Sequence, residues 1–362
     1  MIKPDYYTFN LLVMKTRLLI ILLACIASQG MTQSSQNEPP FLTKPLSGLA
    51  IKAVEAVTAG GNVEVKAVAD GAARIDVYIN FWNENGRNRH LSHEEIQKRL
   101  DEDYTLTIEV KDNKLTATAL HKPIYRNDDN NLGISFDIFV PGSVSTHLST
   151  SGGNIGLSGL SGTQHFKTSG GNVDVQGVTG KVIGKTSGGN IFLSHSNDTL
   201  DLRTSGGNIE ANHCTGTIKL ITSGGNLTLN SLDGTITAET SGGNIQADGI
   251  KGALTGSTSG GNLHLSDLAC NLEVTDNGGT VEVEMKELKN YVNIDGSSGN
   301  IELKLPSGKG IDFKLSGDEI STGSLTNFSG SKKEHSLIGK LNGGGTQVNV
   351  DAPDGKINVE FQ

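Results

Sequence analysis

Thr150-Ser151-Gly152-Gly153-Asn154 runs into Ile155-Gly156-Leu157, and the same pentapeptide begins again at Thr168, Thr186, Thr204, Thr222, Thr240 and Thr258. Every interval is 18 residues. A degenerate copy, Asp276-Asn277-Gly278-Gly279-Thr280, keeps the phase, and Ser298-Gly299-Asn300 follows a short insertion. A fixed short period is the signature of an array whose units stack on their neighbours. With Thr as position 1, position 6 is Ile, Val or Leu in all seven copies, and position 8 is Leu, Val or Ala. Position 15 is apolar from Val182 onward, with Gln164 in the first copy, while position 17 is mostly apolar or Gly. Two period-2 segments per repeat therefore send apolar side chains one way and polar ones the other. Both are too short for helices and are bounded by Gly, Asn or Asp.

A five-residue strand pair cannot bury its apolar side alone, whereas coils laid one on another do, pairing backbone groups about 4.8 Å apart. The expectation is an all-β fold: a single-stranded β-solenoid (β-helix) with 18-residue coils, capped by an N-terminal irregular β region with one short helix. Eight coils would make a rod about 38 Å long. The paired glycines are expected to supply corner conformations closed to other residues. Asn154, Asn172, Asn190, Asn208, Asn226, Asn244 and Asn262 are expected to form a structural ladder whose side-chain amides bond one another along the axis.

Outward from the repeats, Thr58-Ala59-Gly60-Gly61-Asn62-Val63-Glu64-Val65 is an early copy of the motif. Residues 73–82 and 132–140 alternate as strands, and 104–110 with 114–120 reads as a hairpin about Asp112-Asn113. Ser92 and Glu95 are spaced as a capping box for a helix over 93–100. The expected division is a signal peptide at 1–30, a linker at 31–45, an N-terminal β region or cap at 46–149, regular coils at 150–296, and C-terminal coils or cap at 297–362.

From Met14 the chain carries two cations, Lys15 and Arg17, an apolar run Leu18–Ala27, and then small residues. That is a secretory layout, too short to span a bilayer, and Met14 is a candidate for the true start. Leu22-Leu23-Ala24-Cys25 resembles a bacterial lipobox, with Leu23 and Ile26 as departures; a cysteine discarded with the signal is the favoured reading and lipidation of Cys25 the alternative. Cys214 and Cys270 fall about three coils apart, roughly 14 Å, beyond disulfide reach.

The Thr-Ser-Gly-Gly-Asn copies followed by apolar-x-apolar, the early copy at Thr58–Val65 and the entry Asp137-Ile138-Phe139-Val140-Pro141 resemble the DUF4097 family of exported, adhesin-like bacterial β-strand-repeat proteins. The resemblance covers about residues 45–362 and implies the solenoid fold and an envelope location. It brings no defined ligand and no catalytic residues.

Composition narrows the chemistry. Gly contributes 47 of 362 residues without collagen spacing, and the net charge of −9 argues against a protein that binds nucleic acid by neutralising phosphates. Asn stands where a calcium-binding roll would place carboxylates, so no acidic column recurs in the Gly-Gly corners. His195 and His213 share position 10 of neighbouring coils and should stack, yet a closed zinc site needs four ligands. Lys167, Lys185 and Arg203 form an outward column at position 18, a candidate ligand-facing surface for an anionic glycan or headgroup. Asp174 and Glu210 flank Phe192 two coils apart, and paired carboxylates are what glycosidases require. No serine elbow, HExxH or phosphate loop is present. The chain therefore reads as a non-catalytic exported protein of the periplasm, outer membrane or cell surface. It needs no cofactor, its partner is an unidentified surface glycan or protein, and membrane contact comes only through a lipid anchor. A polysaccharide lyase or hydrolase on a β-helix is the alternative.

Overall fold

The coil begins at its corner. In the computed structural model, which describes residues 39–81, 91–123, 132–297 and 299–362, each Thr-Ser-Gly-Gly-Asn from Thr150 to Thr240 turns the chain into a four-residue strand at positions 6–9, while the copy at Thr258 runs into the continuous strand Leu263–Asp276. A bend at positions 10–11 then leads into a seven-residue strand at positions 12–18. Ile191–Ser194 and Asn197–Arg203 are one such coil, and Ile209–Asn212 and Thr215–Ile221 the next. Equivalent strands pair parallel and in register, as Ile191 with Ile209 and Leu200 with Ile218. Successive coils thus build two sheets, one of short and one of long strands. Side chains at positions 6, 8, 15 and 17 fill the space between them, Ile209, Ala211, Ile218 and Leu220 being fully buried. An inward file at position 11 completes the core: Leu160, Val178, Ser196, Cys214, Leu232, Ile250 and Leu268. Its signal was present in the sequence, but it lies in the bend between the two alternating segments.

The glycines do something other than expected. Neither Gly of the corner has the left-handed φ that excludes other residues. At position 4 the constraint is approach: a Cβ on Gly207 would lie 2.0 Å from the Gly189 carbonyl oxygen of the coil below, and Gly171, Gly189, Gly225, Gly243 and Gly261 are equally tight. At position 3 a Cβ on Gly206 meets nothing closer than 3.7 Å. Left-handed backbone occurs elsewhere, at position 10 (His195, His213 and Ser231, φ 50–54°) and position 13 (Gly216 φ 115°, Gly234 φ 132°).

The asparagine file also differs. Each Asn Oδ1 accepts the backbone N–H of the Asn above at 2.8 Å, from Asn62 under Asn154 to Asn244 under Asn262, and Thr280 N–H caps the file on Asn262 at 2.9 Å. Corner N–H groups have no strand partner there, so satisfying them takes precedence over amide-to-amide bonding. Thr at position 1 closes the other orphan groups. Thr204 Oγ1 donates to Gly189 O at 2.8 Å and accepts Gly207 N–H at 3.2 Å, and the pattern recurs in every full copy. In the degenerate copy, Asp276 accepts both glycine N–H groups instead.

The early motif is a full coil separated from the next by an insertion. Val63–Ala67 lies directly against Ile155–Ser158, and Ala53–Thr58 against Ser145–Ser149. The inserted chain turns back over the open end. Leu132–Val140 pairs with Val63–Ala67 and then antiparallel with Arg74–Phe81, which carries Leu42–Pro45. On the other sheet Lys114–His121 continues the stack and Tyr104–Lys111 closes it, through a turn with Asp112 and Asn113 at φ 50° and 61°. The helix spans His93–Asp103 with the Ser92/Glu95 capping box in place. Asp76, within the alternating strand, is buried and held by Arg74 and Thr43.

At the far end the chain order departs from the stacking order. Thr346–Phe361 inserts between Tyr291–Gly296 and Ile311–Thr322, and antiparallel Ser336–Leu341 and Phe328–Lys333 close the long-strand sheet. The folded unit is Pro40–Gln362. The segment 1–30 expected to be a signal peptide, with Cys25, most of the expected linker, and the polar loops expected at 83–91 and 126–131 fall outside the described residues almost entirely. Among those residues no helix is long and apolar enough to cross a membrane.

Candidate binding surface

Strand alternation decides what each sheet shows to solvent. Positions 14, 16 and 18 of the long strands point outward, and parallel in-register pairing turns each into a file. The position-18 file runs Lys167, Lys185, Arg203, Ile221, Glu239, Ser257, Thr275, Asp295, Asp351. The sequence-predicted column Lys167–Lys185–Arg203 is thus the cationic end of a file whose other end is acidic. Arg203 holds Asp201 on its own strand through bonds of 2.9 and 3.1 Å. Position 16 adds Lys219 towards the middle and Glu273 further on.

At the acidic end the outer surface is concave. A cleft of about 470 Å³ is lined by Glu273, Asn293, Asp295, Lys314, Asn349 and Asp351 among others. Asn349 Nδ2 donates to Asn293 Oδ1 at 2.9 Å. The 18-residue phase ends before Asp295, and Asp351 and Lys314 arrive in reversed chain order, which is why the sequence did not place them beside the cationic column.

The short-strand sheet carries a different row. Asp76, Asp137, Glu64, Gly156, Asp174, Phe192 and Glu210 succeed one another across it. Partial burial, then the Glu64 carboxylate beside it, pushes the Asp137 carboxyl up to about 6, and the same causes raise Asp174. Lys66 engages Glu64 at 2.8 Å and Asn212 donates to Glu210 at 2.9 Å. Asp174 and Glu210 do flank Phe192, which is 41% exposed, on an open sheet face. His195 and His213 stack with ring centroids 5.3 Å apart and planes 5° from parallel. Among the described residues no group of three or more His, Cys, Asp or Glu is arranged to hold a metal ion. Cys214 and Cys270 are buried free thiols, and desolvation pushes Cys270 up to about 12.

With this geometry in hand, residues 197–360 match the family model described as Toastrack DUF4097. No curated protein matches the chain. A solved structure described as a "putative cell adhesion protein" from Clostridium sporogenes ATCC 15579 is similar at 10% identity, covering 89% of this chain and 98% of its own, with a TM-score of 0.19. The resemblance carried by the Thr-Ser-Gly-Gly-Asn copies is therefore found again in a match that takes in four of them, and over residues 197–360 the chain is similar to the Toastrack DUF4097 family.

Proposed function

We propose that the protein is a non-catalytic, exported envelope or cell-surface protein, adhesin-like, in which a rigid β-solenoid presents its long-strand face to a glycan or protein partner. The observation that carries this reading is the charge-graded file from Lys167, Lys185 and Arg203 to Asp295 and Asp351, held in fixed register by continuous parallel pairing. A face whose strands are already held by backbone ladders needs no backbone ordering on binding, which favours recognition. The chain's resemblance to exported adhesin-like repeat proteins points the same way. Lipidation of Cys25 would tether the rod to a membrane, and fatty-acid labelling of wild type against Cys25→Ala tests that tether.

The test of the reading is a glycan and protein array probed with the full chain and with Lys167→Glu/Lys185→Glu/Arg203→Glu. Specific capture by the wild type, reduced about tenfold or more in the variant, is expected for a face that recognises through charge complementarity. Capture that is indifferent to these substitutions would contradict the choice of face. New reducing ends or unsaturated sugars released from envelope polysaccharides would favour the enzyme alternative, with Asp174 and Glu210 as the carboxylates to replace.

A further inference from the structure

The long-strand face has a property beyond being charged: it is complementary to itself when inverted. From Ser161–Lys167 to Ile311–Ser316 the face has ten rungs in register, with Asn197–Arg203 third, Thr215–Ile221 fourth, residues 269–275 seventh, 291–296 eighth and 346–351 ninth. A two-fold axis parallel to the strands and midway along the file keeps position 18 facing position 18 while reversing the order of rungs. Second then meets ninth, third meets eighth and fourth meets seventh. Lys185 falls opposite Asp351, Arg203 opposite Asp295, and Lys219 opposite Glu273. By symmetry each pair occurs twice.

These groups are available. Among the described residues Lys185, Lys219, Glu273, Asp295 and Asp351 make no intrachain salt bridge and no side-chain hydrogen bond, whereas Lys66, Lys114, Lys286, Lys289 and Lys356 are each paired within the chain. Arg203 already grips Asp201, and the inverted copy would set that carboxylate against Asn293, whose Nδ2 can donate. At the centre of the face stand the small side chains Thr235, Thr237, Ala253, Thr255 and Ser257, with Glu239 at position 18 falling opposite Ser257 of the inverted copy. Further out Lys314 meets His165, and the long-strand sheet continues past these rungs into Ser145–Ser149 at one end and Ser336–Leu341 at the other. Ten rungs by seven residues present roughly 1,000 Å² per copy, above the roughly 800 Å² per partner of a standard stable interface.

We propose that the partner of this face is a second copy of the same chain, docked antiparallel in an isologous dimer held by the Lys185–Asp351, Arg203–Asp295 and Lys219–Glu273 pairs. The proposal rests on the reading of the long-strand face as the binding face and names its occupant. An antiparallel pairing suits molecules anchored on opposed surfaces, so the dimer would make adhesion homotypic.

The experiment is sedimentation of the full chain at about 20 mM and about 500 mM salt, across which screening removes most exposed charge pairing. A dimer at low salt and a monomer at high salt are expected. Lys185→Glu/Arg203→Glu and Asp295→Lys/Asp351→Lys should each stay monomeric in both buffers, with unchanged circular dichroism confirming the fold. An equimolar mixture of the two variants should restore a dimer at low salt, because the reversed charges then face each other. A monomeric wild type at low salt, variants that dimerise like wild type, or a mixture that stays monomeric would each overturn self-association. If the wild type is monomeric and yet captures a glycan through Lys167, Lys185 and Arg203, the face keeps its binding role and only its occupant changes.

Discussion

At the level of single residues, the five letters Thr-Ser-Gly-Gly-Asn divide their labour unevenly. Position 4 must be Gly because the coil below is in contact with it, while position 3 faces solvent. Gly207→Ala is therefore expected to cost about 3 kcal/mol or more, since the clash is with backbone and cannot be relieved by a rotamer. Gly206→Ala should stay within about 0.5 kcal/mol. Paired urea denaturation curves check both, and equal costs would mean that the corner is not packed coil on coil. The sequence showed that two glycines recur; a conformational and a contact requirement look identical in a single sequence, and only stacked backbones separate them. Asp137 supplies a second residue-scale outcome. Its carboxyl is raised to about 6, so the folded state binds a proton more tightly than the unfolded chain, and this contribution is complete at low pH and lost as pH climbs from about 4 to 6. Asp137→Asn should accordingly raise stability above pH 6 by about 1 kcal/mol, allowing for solvent screening, and should change little below pH 4. A melting series across that range gives the answer, and a gain confined to acid would reverse the sign.

For the elements, the coil is the unit that can be added or removed. Each 18-residue winding contributes one rung to both sheets and one entry to the Asn and Thr files. Nearest-neighbour stacks lose one interface when a unit is excised and keep the rest. Deleting 204–221 should therefore leave a folded, β-rich protein with a modestly lower melting temperature. Deleting 204–211 instead shifts everything after it by eight positions, so that Ile218 and Leu220 fall at positions 7 and 9 and Leu227 and Leu229 at 16 and 18, all outward, and folding should fail. Far-UV circular dichroism distinguishes the outcomes, and equal tolerance of both deletions would contradict coil-by-coil stacking. Strand positions were legible because alternation and period coincide in Ile209, Ala211, Ile218 and Leu220. The end closures were less so. Antiparallel cover by Leu42–Pro45 and Phe328–Lys333, and insertion of Thr346–Phe361 between earlier strands, depend on which edge is left open, and no local pattern records that.

Over the whole stack of coils, the proposed binding role depends on the files staying in register from coil to coil. The cationic column Lys167–Lys185–Arg203 was readable from the period, but its acidic continuation through Asp295 and Asp351 was not, because the period lapses where the chain doubles back. Both the binding reading and the inverted dimer require that equivalent residues of successive coils advance by one strand spacing along one axis. Pulsed electron–electron resonance measures this most directly, with nitroxides at Lys181 paired in turn with Ala253 and Asn271, which occupy position 14 four and five coils on. Separations near 19 and 24 Å, growing by about 4.8 Å per coil, are the predicted result. Distances that fail to grow with coil number, or that scatter between independent sheets, would contradict the account.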